Sequence, residues 1–326
     1  MSDPTELMLE FSEETGLTSN KPKRRYLWTD GFAVCNFLGL YQINNENKFK
    51  NLALKLINQV HMILGKHRHD DTRSGWLGSK DRPTKNGLRI GKPLNERKLH
   101  EPFNPNLEWD RDGQYFHYLT KWMHALNRVY QVTREEKYLT WAVDLAEASK
   151  AFITNDRMFW KMSIDLSYPL VPSMGQHDPI DGYVTFNEIK TFIDVDFSVT
   201  LKKFEKLMHK VNLITTDPLG IGGLLFDAYR LEQIDLEPEI ILQLIKAAQK
   251  GLEYSQLSHT LAFRELGLAI GLQAAKKMLV LEEYWPLIDE INNYWLKNSV
   301  WTEHKDINKV MLATSLAPDS FLSISE

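Results

Sequence analysis

A chain of 326 residues with 43% hydrophobic side chains can bury an extensive core, as one large domain or two ordinary ones. Its 39 basic and 43 acidic residues give a net charge of −4, which excludes the basic excess expected of a nucleic-acid-binding protein. A single cysteine, Cys35, excludes an internal disulfide framework and a multi-cysteine zinc site.

Residues 1–24 read as a polar N-terminal extension with one short apolar patch, Leu7, Met8, Leu9 and Phe11. The extension is acidic, has no cationic start followed by an apolar core, and the chain has no run of about 18 apolar residues. A cytoplasmic location with no membrane partner is the expectation. The basic cluster Lys21, Lys23, Arg24 and Arg25 reads as a solvated entry segment.

From residue 25 to the end, helical spacing dominates. Leu27, Phe32, Val34, Phe37, Leu38 and Tyr41 predict a first helix, with Thr29 or Asp30 as N-cap. Phe49, Leu52, Leu56, Ile57, Val60 and Ile63 predict its antiparallel partner. The segment 67–107 breaks the period. It is rich in Gly, Pro and charge, and GWLG (75–78) and GLRIGKPL (87–94) set turn-formers around isolated apolar residues, so a structured loop over one mouth of the domain is expected.

EWDRDGQYFHY (108–118) then leads into a second pair. Tyr115, Leu119, Trp122, Met123, Leu126 and Val129 trace an apolar face with Asp112 as the expected cap, and Tyr138, Ala142, Leu145 and Phe152 trace the partner. LYQINNENKF and VYQVTREEKY repeat the same texture at the two hairpin turns, an internal repeat that predicts successive helix hairpins. A poorly periodic patch runs through Pro169 and Pro172, and SMGQHDPIDG opens a third pair completed by Phe197 to Val211. Pro179 is expected to hold Asp178 extended and make that turn rigid. A fourth pair follows TTDPLGIGG, with Pro238 starting its second helix. The fifth runs 263–277 and 284–296, and 305–316 forms an incomplete sixth that the N-terminal segment could complete. No strand series is expected.

The stretch Gly113-Gln-Tyr-Phe-His-Tyr-Leu-Thr-Lys-Trp-Met-His-Ala-Leu126, followed by Glu136-Lys-Tyr-Leu139 and an Ala-rich helix, resembles the six-hairpin glycosidase superfamily and the N-acylglucosamine 2-epimerase group. The resemblance runs over about residues 25 to 316 and rests on helix pattern. It implies an all-α (α/α)6 toroid, a barrel of helical hairpins, as a single domain over 25–326.

If the first helix of each pair lines the ring, its preceding turn delivers chemistry to one mouth. Asp110, Asp112, His177 and Asp178 are the candidate catalytic groups. Trp28, Asp30, Arg89, Glu108, Trp109, Tyr115, His117, Asp181, Arg264 and His304 are the candidate substrate-binding groups. An N-cap needs only one Asp or Ser per helix, so a dense acidic cluster exceeds what capping explains. Paired carboxylic groups suit glycoside or unsaturated-uronide hydrolysis. Histidine with a carboxylate suits sugar epimerisation or isomerisation instead, and a non-catalytic carbohydrate-binding or scaffold role on the same fold is the third possibility. Arg89 or Arg264 could bind an acidic sugar group. HRHDD (67–71) reads as a charged loop rather than a metal site, and no nucleotide or serine-hydrolase fingerprint occurs, so a small sugar without cofactor or metal is the expected ligand.

Overall fold

The computed structural model describes residues 3–171 and 173–323, so Pro172 lies outside the described residues. The helices are α1 (Pro4–Glu14), α2 (Leu27–Asn44), α3 (Asn47–Leu64), the one-turn α4 (Pro105–Glu108), α5 (Phe116–Thr133) and α6 (Lys137–Ser149). They continue as α7 (Asp178–Phe192), α8 (Ser198–Met208), α9 (Pro218–Gln233), α10 (Pro238–Tyr254), α11 (Ala262–Lys277), α12 (Pro286–Lys297), α13 (Lys305–Leu316) and α14 (Asp319–Leu322). Three very short strands, β1 (Gln114–Tyr115), β2 (Lys161–Met162) and β3 (Pro169–Val171), form an antiparallel sheet in that order. Two- and three-residue strands are too short to show alternation, which is why the sequence pattern does not reveal them.

By contact the chain falls into two compact units. One comprises the residues up to Lys21, Cys35–Asn51 and the residues from Asn212 onward. Within it α9 packs on α10 and α11, and α11 on α12 and α13. The α9–α11 crossing is close because Gly222 faces Gly267 and Gly271, and a side chain on Gly222 or Gly271 would collide with the backbone of the other helix. Asp217 caps α9 by accepting from the Gly220 N–H at 3.2 Å. The extension is part of this unit. Helix α1 lies against α13, buries Leu7, Met8 and Phe11, and places Glu10 and Glu14 each 2.8 Å from Lys309 Nζ.

The other unit comprises Pro22–Val34 and Leu52–Val211. Here α5 packs against α6 and α7, and α7 against α8. Trp122, Phe116, Phe152, Phe186, Phe197 and Phe204 form its aromatic core, each fully buried. His61 stays inside this core as a neutral acceptor: Trp122 Nε1 donates to its Nε2 at 3.1 Å, and burial pulls its pKa down to about 3.

Three helix starts differ from expectation. Asp30 sits inside the first turn of α2 and accepts from the Tyr26 N–H at 2.9 Å, so it closes the helix start from within. Asp112 does not cap α5. The chain runs on through extended β1, and Tyr115 holds the cap position without a side-chain bond. Helix α7 likewise begins at Asp178 itself, because a proline ring fits the first turn where no partner for an N–H exists.

Candidate active site

The loop 67–112 belongs to the second unit and is ordered by charge. Its centre is Asp112, which is fully buried. Arg89 binds its Oδ2, Arg68 lies 3.3 Å away, and the Gly91 and Gly113 N–H groups donate to Oδ1 at 3.0 and 3.1 Å. Arg89 also donates to the carbonyls of Lys66 and Ile63 at 2.6 Å each. Both Asp112 oxygens are engaged, and Arg89 is bonded through each of its three nitrogens. In the structure Asp112 and Arg89 together tether the loop.

Glu108 is held by charge alone, since neither of its buried carboxylate oxygens has a hydrogen-bond partner among the described residues. Its carboxylate lies 2.8 Å from Lys161 Nζ and 3.4 Å from Arg97 Nε. Lys161, fully buried on β2, also donates to the carbonyls of Glu108 and Arg111 at 2.8 and 2.9 Å. Asp30 faces Arg25 at 3.4 Å. Asp70 and Asp71 of the HRHDD run pair with Arg68 and Arg73, each at 2.7 Å. Among the described residues no group of three or more His, Cys, Asp or Glu side chains could hold a metal ion.

Two carboxyl groups differ from these. Asp110 is exposed beside Trp109; among the described residues no hydrogen bond or ion pair engages its side chain, although Lys92 lies in its field. Asp178 is 5% exposed at the start of α7, where a backbone hydrogen bond from Gly175 reaches its carboxyl and Oδ2 has no partner among the described residues. Burial first, and then the charge of Asp181, push the Asp178 pKa up to about 7. Asp181 is fully buried, 2.8 Å from Lys121 Nζ and bonded to the Thr120 hydroxyl at 2.5 Å. His117 Nδ1 stands 3.9 Å from Asp181 with a third of its side chain exposed. His177 is half-buried at the cap position of α7.

An unbroken aromatic wall runs from these groups. The rings of His117 and Tyr118 are 5.6 Å apart, Tyr118 and Tyr115 4.9 Å, Tyr115 and Trp160 4.9 Å, and Trp160 and Trp109 6.3 Å. Tyr26 joins through a 2.6 Å hydroxyl bond to Tyr118, and Trp28 lies 6.5 Å from the Tyr118 ring. The sheet fixes part of the wall, since Tyr115 pairs with Lys161 in register and the Phe116 N–H donates to the Trp160 carbonyl at 3.1 Å. The Tyr115 hydroxyl is buried and has no partner among the described residues. Trp160 and Lys161 escape sequence reading because only the long-range pairing of β1 with β2 brings them here.

Arg264 and His304 belong to the first unit. Arg264 pairs with Asp217 at 2.6 Å, and His304 packs edge-on against Phe263 at 5.6 Å, just before α13. Each thus has a local partner on its own unit.

No family model matches the sequence, and no curated relative matches it. Solved structures do. A GH76 α-mannanase of Bacteroides thetaiotaomicron superposes with a TM-score of 0.66 at 9% identity, over 98% of this chain and 96% of that one. An inactive variant of the α-1,6-mannanase GH76A of Salegentibacter sp. HEL1_6, in complex with α-1,6-mannotetrose, gives 0.62 at 13% identity over 97% and 99%. The cellobiose 2-epimerase of Bacillus thermoamylovorans gives 0.56 at 9% identity over 95% and 99%. At these identities the likeness carries the architecture alone, and it spans nearly the whole of each chain. The chain has the (α/α)6 toroid fold.

Proposed function

We propose that this chain is a carbohydrate-active enzyme that hydrolyses a glycosidic bond, with Asp178 as general acid and Asp110 as the carboxylate base. The observation that carries the proposal is the state of Asp178. It is an enclosed carboxyl group with a free oxygen, and it keeps its proton to about pH 7. Two carboxyl groups in opposite environments, one enclosed and protonated and one exposed, match the division of labour that glycoside hydrolysis needs. Asp178 gives its proton to the glycosidic oxygen as the C1–O bond breaks. A water oxygen bonds to C1, and the proton it sheds passes to Asp110. Exchange with solvent then restores both carboxyl groups. The aromatic wall supplies flat apolar faces for sugar rings. The mannanase neighbour's complex with α-1,6-mannotetrose makes α-1,6-mannooligosaccharides the first substrates to try.

A second reading is supported by His117, whose exposed imidazole beside Asp181 could remove a proton next to a sugar carbonyl. The two reactions leave different products. Incubation with α- and β-linked manno- and glucooligosaccharides, followed by NMR of the products, separates chain shortening from inversion at C2. Hydrolysis predicts shortened chains from the wild type and at least a roughly hundredfold loss of rate in both Asp178→Asn and Asp110→Asn, with unchanged circular dichroism. Unimpaired turnover in either variant removes that residue from its role.

A further inference from the structure

The cations around the aromatic wall are nearly all spoken for. Arg68, Arg89, Arg97, Arg111 and Lys161 each meet a carboxylate within 3.4 Å. Lys92 is the exception among the described residues near the wall. Its ammonium lies over two rings, 5.4 Å from the Tyr26 centroid and 5.9 Å from the Trp109 centroid. Among the described residues no carboxylate lies within ion-pair distance of it, and Asp110 and Asp112 act only as more distant charges. Burial pulls its pKa down, the mark of an ammonium that has lost water without gaining a counter-ion.

The backbone that carries Lys92 is fixed from several sides. Its carbonyl accepts from Arg68 Nη1 at 2.6 Å, and its N–H points to Asp112 Oδ1 at 3.4 Å. One residue earlier, Gly91 takes a φ of +97° and passes so close to the Arg25 carbonyl that no side chain would fit. The Ile90 carbonyl accepts from the Leu27 N–H at 3.0 Å, and the Ile90 N–H donates to Gly113 at 2.9 Å. The strap thus spans the start of α2 and the lead into β1, and it sets Lys92 between an exposed tryptophan and a half-buried tyrosine before any ligand arrives. A cation positioned in advance loses little freedom on binding an anion.

We propose that Lys92 is the specificity-determining residue of this site, binding the carboxylate of a uronic-acid unit whose ring lies on the wall at Trp109 and Tyr26. This rests on the sugar-site reading above. Arg89 and Arg264, the arginines that sequence reading nominates for an acidic sugar, are held by Asp112 and Asp217. The charge available for the task is therefore Lys92.

The test is binding by calorimetry to paired methyl hexosides and methyl hexuronosides of both anomers, with a 6-sulfated hexoside as a third arm, for the wild type and Lys92→Met. Methionine keeps an apolar stem against the two rings and removes the charge. The expected result is a uronoside preference of roughly tenfold or more in the wild type, lost in Lys92→Met while hexoside affinity is unchanged. Equal binding of hexosides and uronosides by the wild type, or an undiminished preference in Lys92→Met, overturns the Lys92 assignment and leaves the sugar site standing. Preference for the sulfated hexoside overturns the assignment to a carboxylate. Failure of every sugar to bind overturns both readings.

Discussion

The acidic stretches Glu108–Asp112 and Asp178–Asp181 look alike in sequence, and each mixes ion-paired carboxyl groups with one, Asp110 or Asp178, that meets no counter-ion among the described residues. In the first, Glu108 and Asp112 are anchored by Lys161, Arg97, Arg89 and Arg68, so their charge organises a loop. In the second, Asp181 has taken the available cation, Lys121, and Asp178 is left enclosed beside it with an unmet oxygen. The proposed division of roles rests on the partner: Asp112, with donors on both oxygens, has no capacity left for a proton or a substrate, whereas Asp178 has no cation of its own.

The contrast can be broken most forcefully at the tether. Arg89→Ala removes the main partner of a fully buried carboxylate and two loop carbonyl bonds, and should cost about 3 kcal/mol of stability. A urea-denaturation midpoint reads this. A loss of less than roughly 0.5 kcal/mol, the size of an ordinary surface substitution, would mean that the loop is held by something else.

The second stretch predicts the opposite sign. Unfolded, the Asp178 carboxyl releases its proton near 3.8; folded, it keeps it to about 7. Between these values the unfolded state gives up a proton that the folded state retains, so Asp178 lowers stability progressively as pH rises from about 4 to 7. The cost is complete above that range. Asp178→Asn escapes it. The variant should exceed the wild type in stability by on the order of 4 kcal/mol at pH 8, and match it below pH 4. Thermal denaturation of both proteins at both pH values measures this, and an advantage over the wild type no larger at pH 8 than at pH 4 would place Asp178 with the anchored acids.

The helix hairpins were legible because apolar spacing is a local signal. Pro238 starts its helix where the pattern places it, and α1 docks on α13 as a mate for the sixth pair. The site was legible only as segments. Of the residues proposed for it, Trp109, Tyr115, His117 and Asp178 stand out in the sequence, yet nothing in EWDRDGQ says that Asp112 meets Arg89, since that pairing spans 23 residues of mostly irregular chain. The same limit hid Lys92, whose proposed role comes from what it lacks among the described residues. The absence of a counter-ion is a three-dimensional fact. Asp112 was misread as a cap because two extended residues of β1 and the start of a sheet intervene, and a strand that short leaves no periodic trace.

The most direct measurement is the protonation state of Asp178 itself, read as the infrared band of a neutral carboxylic acid in the difference between wild type and Asp178→Asn across pH. A neutral carboxyl signal that persists through pH 6 and titrates with a midpoint near 7 is the predicted result. A carboxylate already ionised at pH 5 would contradict the assignment of Asp178 as the acid.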